Sequence, residues 1–151
     1  AVLDVIENEK LCEKSVSIGN FMIKSLKSMQ DEYNCIGDIR GSGLFFGVDL
    51  VKSKETREPA TELAEYIVQR FRQEKVLMST EGKYGNVLKF KSPMVFSMEN
   101  ARFWLKTFQS ILNELELYRS NSVSSTSSSS SSLSLDSLSD SLTSDDEFVS
   151  N

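Results

Sequence analysis

The sequence predicts one α+β domain, a small and mostly antiparallel sheet covered by helices, followed by a disordered tail. Apolar patterns typical of helices and strands follow each other in the order helix, two strands, helix, two strands, helix. Short glycine-containing connections separate the strands of each pair and favour antiparallel neighbours. From Arg119 onward roughly half of the residues are serine, so that segment buries too little apolar surface to fold. The domain is therefore predicted over residues 1–118 and the tail over residues 119–151.

Residues 1–30 are predicted to form one long amphipathic helix. Gly19 costs up to about 1 kcal/mol relative to alanine inside a helix, so we expect another element to pack closely over it. The chain begins at Ala1 without a methionine and without a residue that would cap this helix, which indicates a C-terminal fragment of a longer protein. The predicted apolar stripe consists of Val5, Cys12, Val16, Gly19, Ile23 and Leu26.

The middle of the chain predicts two strands and a second helix. Residues 35–39 form a short strand, residues 40–43 a turn and residues 44–51 a longer strand that is apolar on both faces up to Asp49. Such a strand suits a position covered by helices on one side and by another domain on the other. Pro59 is predicted in the first turn of the next helix, where its missing N–H costs nothing. That helix is predicted to end near residue 74, with an apolar stripe of Leu63, Ile67, Val68 and Phe71.

The last part of the domain predicts a hairpin and a final helix. A third strand over residues 76–79 is followed by a glycine-rich connection and a fourth strand over residues 86–91. In the fourth strand Lys89 shares a face with Val87 and Lys91, opposite Leu88 and Phe90. Pro93 ends this strand, and Ser97 caps the final helix. The packing face of that helix is predicted from Phe103, Trp104, Phe108, Ile111, Leu112 and Leu115.

The composition excludes several classes of function. The chain contains no histidine, so it holds neither a Ser-His-Asp nor a Cys-His nucleophile system and lacks the commonest zinc ligand. Cys12 and Cys35 have no metal-binding spacing and are expected to be reduced thiols in an intracellular protein. The net charge of -5 disfavours nucleic acid and anionic membranes as partners. No apolar run approaches the roughly 18 to 20 residues that span a bilayer.

Two short segments are candidates for chemistry. Arg40-Gly41-Ser42-Gly43 superficially suggests a phosphate-binding loop, but it lacks the GxxxxGK[ST] and GxGxxG patterns and leads into a strand rather than a helix. We therefore predict a structural turn there. Lys89 lies in the middle of a short strand between two apolar residues, so its side chain must either extend to solvent or meet an anion.

Several segments resemble the small C-terminal domain of the class III, pyridoxal-phosphate-dependent aminotransferases. The run Val2-Leu3-Asp4-Val5-Ile6-Glu7 is similar to the helix that enters this domain. Asp38-Ile39-Arg40-Gly41-Ser42-Gly43-Leu44 is similar to the RGxGL strand pair of the family. Glu58-Pro59-Ala60-Thr61 and Gly85-Asn86-Val87-Leu88-Lys89-Phe90-Lys91 resemble the alanine–glyoxylate-aminotransferase-2-like branch, which includes the ethanolamine-phosphate and 5-phosphohydroxylysine phospho-lyases. The likeness covers residues 1–117.

The resemblance implies a transaminase or phospho-lyase acting on a small amino substrate, of which phosphoethanolamine and phosphohydroxylysine are the candidates. It also implies a substrate-binding role for Lys89, because many class III transaminases carry an arginine at this place that binds a substrate carboxylate. A lysine ammonium acts instead as a point charge and suits phosphate at least as well. One departure is Ser92, which replaces the first of the two prolines that usually follow this strand.

The resemblance further implies that pyridoxal phosphate is the electron sink of the reaction. The family's Schiff-base lysine and the residues that hold the cofactor belong to a large domain that would precede this segment. No catalytic, cofactor-binding or metal-binding residue is therefore assigned here, and the fragment alone is expected to be inactive. The small domain would close over the site and exclude water. A homodimer is implied for the full-length protein, in the mitochondrion or the cytoplasm.

The alternative hypothesis is a stand-alone α+β binding or regulatory module with an interaction tail. Two interpretations of that tail stay open. It is either a disordered and dispensable segment, or a segment tuned by phosphorylation at Ser141 and Ser144, which precede Asp145-Asp146-Glu147. Each phosphate would add a charge of about -1.5 to -2. The module hypothesis predicts that the 118-residue body is monomeric and cooperative alone, whereas the enzyme hypothesis predicts poor solubility.

Overall fold

A computed structural model describes residues 1–124 of the chain, with side chains described as far as residue 121. The predicted order of elements is confirmed, with one additional helix at the start. The elements are α1 (Val2–Asn8), α2 (Leu11–Glu32), β1 (Ile36–Ser42), β2 (Phe45–Leu50), α3 (Thr61–Gln73), β3 (Ser79–Glu81), β4 (Val87–Lys91) and α4 (Met98–Ser124). The last helix thus extends past residue 118. Ser141 and Ser144 lie outside the described residues.

The four strands form one sheet in the order β1-β2-β4-β3, and every neighbouring pair is antiparallel. Because side chains alternate along a strand, each strand sends one set of residues to each face of the sheet. The helices α2, α3 and α4 cover one face. The other, here called the open face, has no helix of the described residues packed on it. The side chains buried under the helices are Ile36, Ile39, Phe46, Val48, Leu50, Leu88 and Phe90.

An aromatic cluster joins this buried face to α3 and α4. Phe46 stacks on Phe90 with ring centroids 4.5 Å apart, and Phe71 of α3 stacks on Trp104 of α4 at 5.1 Å. Phe108 lies one turn further along α4, 5.2 Å from the ring of Trp104. These rings are almost fully buried, so each contributes both apolar burial and preferred ring geometry to the core.

The first helix differs from the prediction in two ways. It is interrupted at Lys10, whose φ of 52° is left-handed and ends α1 before α2 begins. The predicted stripe is also wrong in part, because Val5, Cys12 and Val16 are exposed. The sequence offers a second stripe with helical spacing, displaced by about one position, and that stripe is the buried one. It consists of Leu11, Ile18, Met22, Leu26 and Met29.

Gly19 does lie under another element, as predicted. It faces Gly43 in the turn between β1 and β2, and a Cβ atom at Gly19 would lie 2.1 Å from the Gly43 carbonyl oxygen. Gly43 itself has a φ of 54°, a left-handed conformation that glycine adopts at no steric cost. The helix backbone therefore packs directly on the backbone of the turn.

Several predicted boundaries are wrong. Strand β1 continues to Ser42, so Arg40 and Gly41 pair with β2 instead of forming the turn. Pro59 forms an isolated bridge with Val51, and α3 begins two residues later. The third strand begins where its predicted range ends, because only residues 79–81 reach β4. Phe103 is 48% exposed and does not belong to the packing face of α4.

Ser97 caps α4, as predicted: its Oγ accepts a hydrogen bond from the Asn100 backbone N–H at 3.1 Å. The other predicted members of the α4 packing face are buried. The faces of β4 are also confirmed, with Leu88 and Phe90 buried and Lys89 on the open side. These three predictions rest on side-chain periodicity and on one polar cap, and both signals are local.

We expect the stability of the domain to fall above about pH 9 because of the buried thiol of Cys35. Burial raises the pKa of Cys35 above its ordinary value. The unfolded thiol ionises from about pH 8.5, whereas the folded thiol keeps its proton. The contribution of Cys35 to the free energy of unfolding is fully present below about pH 8.5. It is lost as the pH rises from there through the folded pKa, at about 1.4 kcal/mol per pH unit.

Urea unfolding between pH 7 and pH 10 measures this loss. Cys35→Ala should flatten the pH dependence between pH 8.5 and 10, and Cys12→Ala, at an exposed position, should leave it unchanged. Identical slopes for all three proteins would contradict the assignment. Burial also raises the pKa of Tyr33 and Tyr66, so a second loss is expected above pH 10 in every variant.

Candidate functional site

The candidate site is the open face of the sheet, where strand register brings polar residues into rows. Arg40 pairs with Gly47, Gly47 with Lys89, and Lys89 with Ser79, so these four residues form one row across all four strands. Because paired residues point to the same side, the side chains of Arg40 and Lys89 share the open face. A neighbouring row consists of Asp38, Asp49, Val87 and Glu81.

Lys89 meets an anion supplied by its own chain. Its Nζ donates a hydrogen bond to Oε1 of Glu81 at 2.6 Å, and the Lys89 side chain remains 35% exposed. Both alternatives predicted for this lysine therefore hold in part, since the ammonium is paired and also reaches solvent. The partner lies on the short strand β3, diagonally across from Lys89. A substrate-binding role for Lys89 stays a prediction.

Two cavities border Lys89. One of about 280 Å³ lies over Gly47 and is also lined by Arg40, Phe45 and Val87. The other, of about 520 Å³, lies at the sheet edge where β3 stops short of the end of β4, and Trp104 lines its floor. Lys89 is thus the residue shared by two concave surfaces, where a small molecule would be partly enclosed.

Asn86 holds β4 in register with β2 and so positions Lys89. Its Nδ2 donates to Oδ1 of Asp49 at 2.6 Å and to the carbonyl oxygen of Leu50 at 2.8 Å. The side chain is buried, and these bonds satisfy its polar nitrogen. This role was not predicted from the sequence, because both hydrogen-bond partners of Asn86 are distant along the chain. The sequence feature that could have indicated it is an asparagine directly before a strand in which buried and more exposed residues alternate.

Ser92 ties the end of β4 to the β1–β2 turn. Its N–H donates to the carbonyl oxygen of Leu44 at 3.4 Å, a bond that a proline at this position would lack. Its Oγ is buried beside the edge cavity and has no hydrogen-bond partner among the described residues. The departure from the double-proline pattern therefore adds one backbone bond and one unpaired hydroxyl.

The Gly41–Gly43 segment does not form a phosphate-binding loop. Gly41 belongs to β1, and Gly43 packs against Gly19 of α2, so the turn supports the hairpin. Arg40 lies beside it in the ladder, where its Nε contacts Oδ2 of Asp38 at 2.8 Å. The guanidinium is largely exposed.

No lysine in residues 1–124 is buried, and Lys89 is paired with Glu81. Within the same residues no three His, Cys, Asp or Glu side chains converge on a point where a metal ion would bind. None of the described helices is both long and apolar enough to cross a membrane.

Comparison with known proteins gives consistent matches. The model of the family described as aminotransferase class-III matches residues 1–112. The chain is 40% identical over 113 residues to a Drosophila melanogaster protein named alanine–glyoxylate aminotransferase 2-like, covering 74% of this chain and 23% of the fly protein. It is 40% identical over 101 residues to ethanolamine-phosphate phospho-lyase homolog 1 of Caenorhabditis elegans, covering 66% of this chain and 22% of that protein.

The fold comparison agrees with the sequence comparison. A solved phospholyase from Arthrobacter in complex with phosphoethanolamine superposes with a TM-score of 0.71 and 34% identity. The match covers 74% of this chain and 26% of that one. The chain therefore spans about a quarter of the length of the proteins it matches.

Proposed function

The chain belongs to the class-III aminotransferase family, and we propose that it is the C-terminal small domain of a pyridoxal-phosphate-dependent transaminase or phospho-lyase. The family and the α+β fold with its small antiparallel sheet are those predicted from the sequence. The proposed substrate is a small amine that carries a phosphate group. Pyridoxal phosphate would supply the electron sink, and its binding residues would belong mainly to the rest of the protein.

The observation that carries this proposal is the position of Lys89. Lys89 lies on the open face between two cavities. Its side chain is 35% exposed, and its ammonium pairs with the exposed carboxylate of Glu81. An ammonium binds phosphate as a point charge, whereas a carboxylate substrate is better matched by an arginine fork. The similarity to a phospholyase that was solved with phosphoethanolamine supports the same substrate class.

In this proposal Lys89 binds and orients the substrate's anionic end. Asn86 fixes the strand that presents the lysine, and the neighbouring cavities enclose the substrate on the side of the small domain. Closure of this domain over the rest of the site would exclude water, which strengthens the pairing of the ammonium with phosphate. The chain alone is proposed to be inactive.

The experiment is to express the reading frame extended upstream and to assay two reactions. We expect phosphate release from phosphoethanolamine to exceed amine transfer from alanine. Amine transfer without phosphate release would refute the phospho-lyase proposal and leave a transaminase. If the protein binds pyridoxal phosphate but catalyses neither reaction, the proposed substrate class is refuted.

Lys89→Gln in that protein should raise the KM for phosphoethanolamine about tenfold, because one charge-assisted contact contributes roughly 1.5 kcal/mol. Lys89→Arg should retain more of the binding, since it keeps the charge. Lys83→Gln is the matched control, an exposed lysine in the connection between β3 and β4. An unchanged KM for Lys89→Gln would refute the substrate-binding role.

The stand-alone module is not favoured, because the family match extends over most of the folded body. We also propose that the full-length protein is an intracellular homodimer, in the mitochondrion or the cytoplasm. Light scattering of the extended protein would test the dimer, and fractionation of the native host would test the compartment.

A further inference from the structure

We propose that Arg40 and Lys89 together form a binding site for a phosphate dianion over Gly47. This inference rests on the proposed function and extends it, because it names a second cation for the substrate's phosphate group. The guanidinium of Arg40 would bind the phosphate. The backbone of the neighbouring glycine turn would not, because it packs against α2 and supports the hairpin.

The row across the sheet sets the distance between the two cations. Arg40 and Lys89 both pair with Gly47, one from each side, so their Cα atoms are separated by two strand spacings. At about 4.8 Å for each spacing this gives roughly 10 Å. Both side chains are long and flexible enough to place their charged heads on one phosphate at the centre of that gap.

Gly47 provides a floor without a side chain between the two cations. Phe45 and Val87 stand on either side of this floor, and the space above it is the cavity of about 280 Å³. A Cβ atom at Gly47 would lie 3.0 Å from Cγ1 of Val87, so even an alanine would crowd the cavity. The depression thus depends on the residue that lies between Arg40 and Lys89.

Each cation is paired with a carboxylate of the neighbouring row. Asp38 contacts the Nε of Arg40, and Glu81 accepts a hydrogen bond from Lys89. The third carboxylate of that row, Asp49, accepts a hydrogen bond from Asn86. A guanidinium has five N–H donors and only one is on Nε, so Arg40 retains donors for a ligand.

A phosphate dianion would exchange with Glu81 for the ammonium of Lys89. Both partners of this pair are substantially exposed, and such pairs contribute little, about 0 to 1 kcal/mol. A doubly charged ligand that bridges two cations gains two charge-assisted contacts in return. A monoanion such as acetate gains less, so the site should discriminate by charge.

The test titrates the 151-residue chain, labelled with ¹⁵N, with phosphoethanolamine, inorganic phosphate and acetate. The readouts are the chemical shifts of the Gly47 amide and of the Arg40 side chain. We expect saturable binding of both phosphate compounds and at least fivefold weaker binding of acetate. Equal binding of phosphoethanolamine and inorganic phosphate shows that the phosphate group alone is recognised. Stronger binding of phosphoethanolamine shows that its amine adds a contact.

Three test variants and one control separate the roles of the side chains. Arg40→Gln should weaken phosphate binding about tenfold, and Arg40→Lys should weaken it less. Glu81→Gln should strengthen binding severalfold, because it removes the internal competitor. Arg72→Gln, at an exposed position in α3, is the matched control and should change nothing. The amide spectra report whether each variant remains folded.

Two results would overturn the inference. Unchanged affinity in Arg40→Gln, with loss of binding in Lys89→Gln, would remove Arg40 from the site and leave the proposed function intact. No saturable binding, or equal affinity for acetate and phosphate, would show only adventitious ion binding. The proposed function is tested independently by the reactions of the upstream-extended protein.

Discussion

Replacing Gly19 by alanine is expected to destabilise the domain by about 3 kcal/mol or more. The new Cβ atom would lie 2.1 Å from the carbonyl oxygen of Gly43, far inside van der Waals contact. Both sides of this contact are backbone, so no side-chain rotation relieves the clash and the helix or the hairpin must move. The gain of about 1 kcal/mol in helix propensity is too small to offset this cost.

Urea unfolding of the 151-residue chain measures the effect as a lower midpoint with an unchanged slope. Asn20→Ala is the matched control, because Asn20 is the next residue of α2 and its side chain is exposed. We expect that control to differ from the original protein by less than about 0.5 kcal/mol. Equal stability of the two variants would mean that the helix does not rest on the turn in solution.

Phe108→Ala is expected to cost about 3 to 5 kcal/mol, the range for truncating a buried aromatic ring. Phe108 is fully buried and its ring is 5.2 Å from that of Trp104 and 6.1 Å from that of Phe71. The truncation removes apolar burial and leaves a cavity at the junction of α3 and α4. The free energy of unfolding of a small domain is only about 5 to 15 kcal/mol, so the variant loses a large fraction of its stability.

Phe103→Ala is the control within the same helix, since it removes the same atoms from a ring that is 48% exposed. We expect a cost below about 1 kcal/mol there. Comparable losses in the two variants, measured by urea unfolding, would indicate that Phe103 is covered in solution. That result would also restore the packing face predicted from the sequence.

The order and type of the elements could be predicted from the sequence because apolar periodicity and turn residues are local signals. Lys89 and its face were predictable for the same reason, from the alternation along β4. The buried stripe of α2 could not be predicted in the same way, because two sets of apolar residues in this helix have helical spacing. Only packing against β1 selects one of them. Phe103 was misplaced because apolar character alone does not tell a covered ring from an exposed one.

The composition of the open face could not be predicted, because it depends on strand register. Arg40 and Lys89 are 49 residues apart in the sequence, and only pairing of both with Gly47 brings them into one row. Glu81 lies in a connection according to the sequence, but β3 extends to it and delivers its carboxylate to Lys89. Asn86 likewise acquires its role from the carbonyl oxygen of Leu50, a long-range partner.

The contact between Gly19 and Gly43 has a mechanical consequence. Two backbones that touch without an intervening side chain leave no compressible layer between them, and close-packed protein interiors transmit strain. A displacement of α2 therefore also displaces the β1–β2 hairpin. That hairpin contains Arg40, which lies in the same row across the sheet as Lys89. The two glycines form a stiff coupling, through which movement of one helix changes the position of a charged surface on the far side of the sheet.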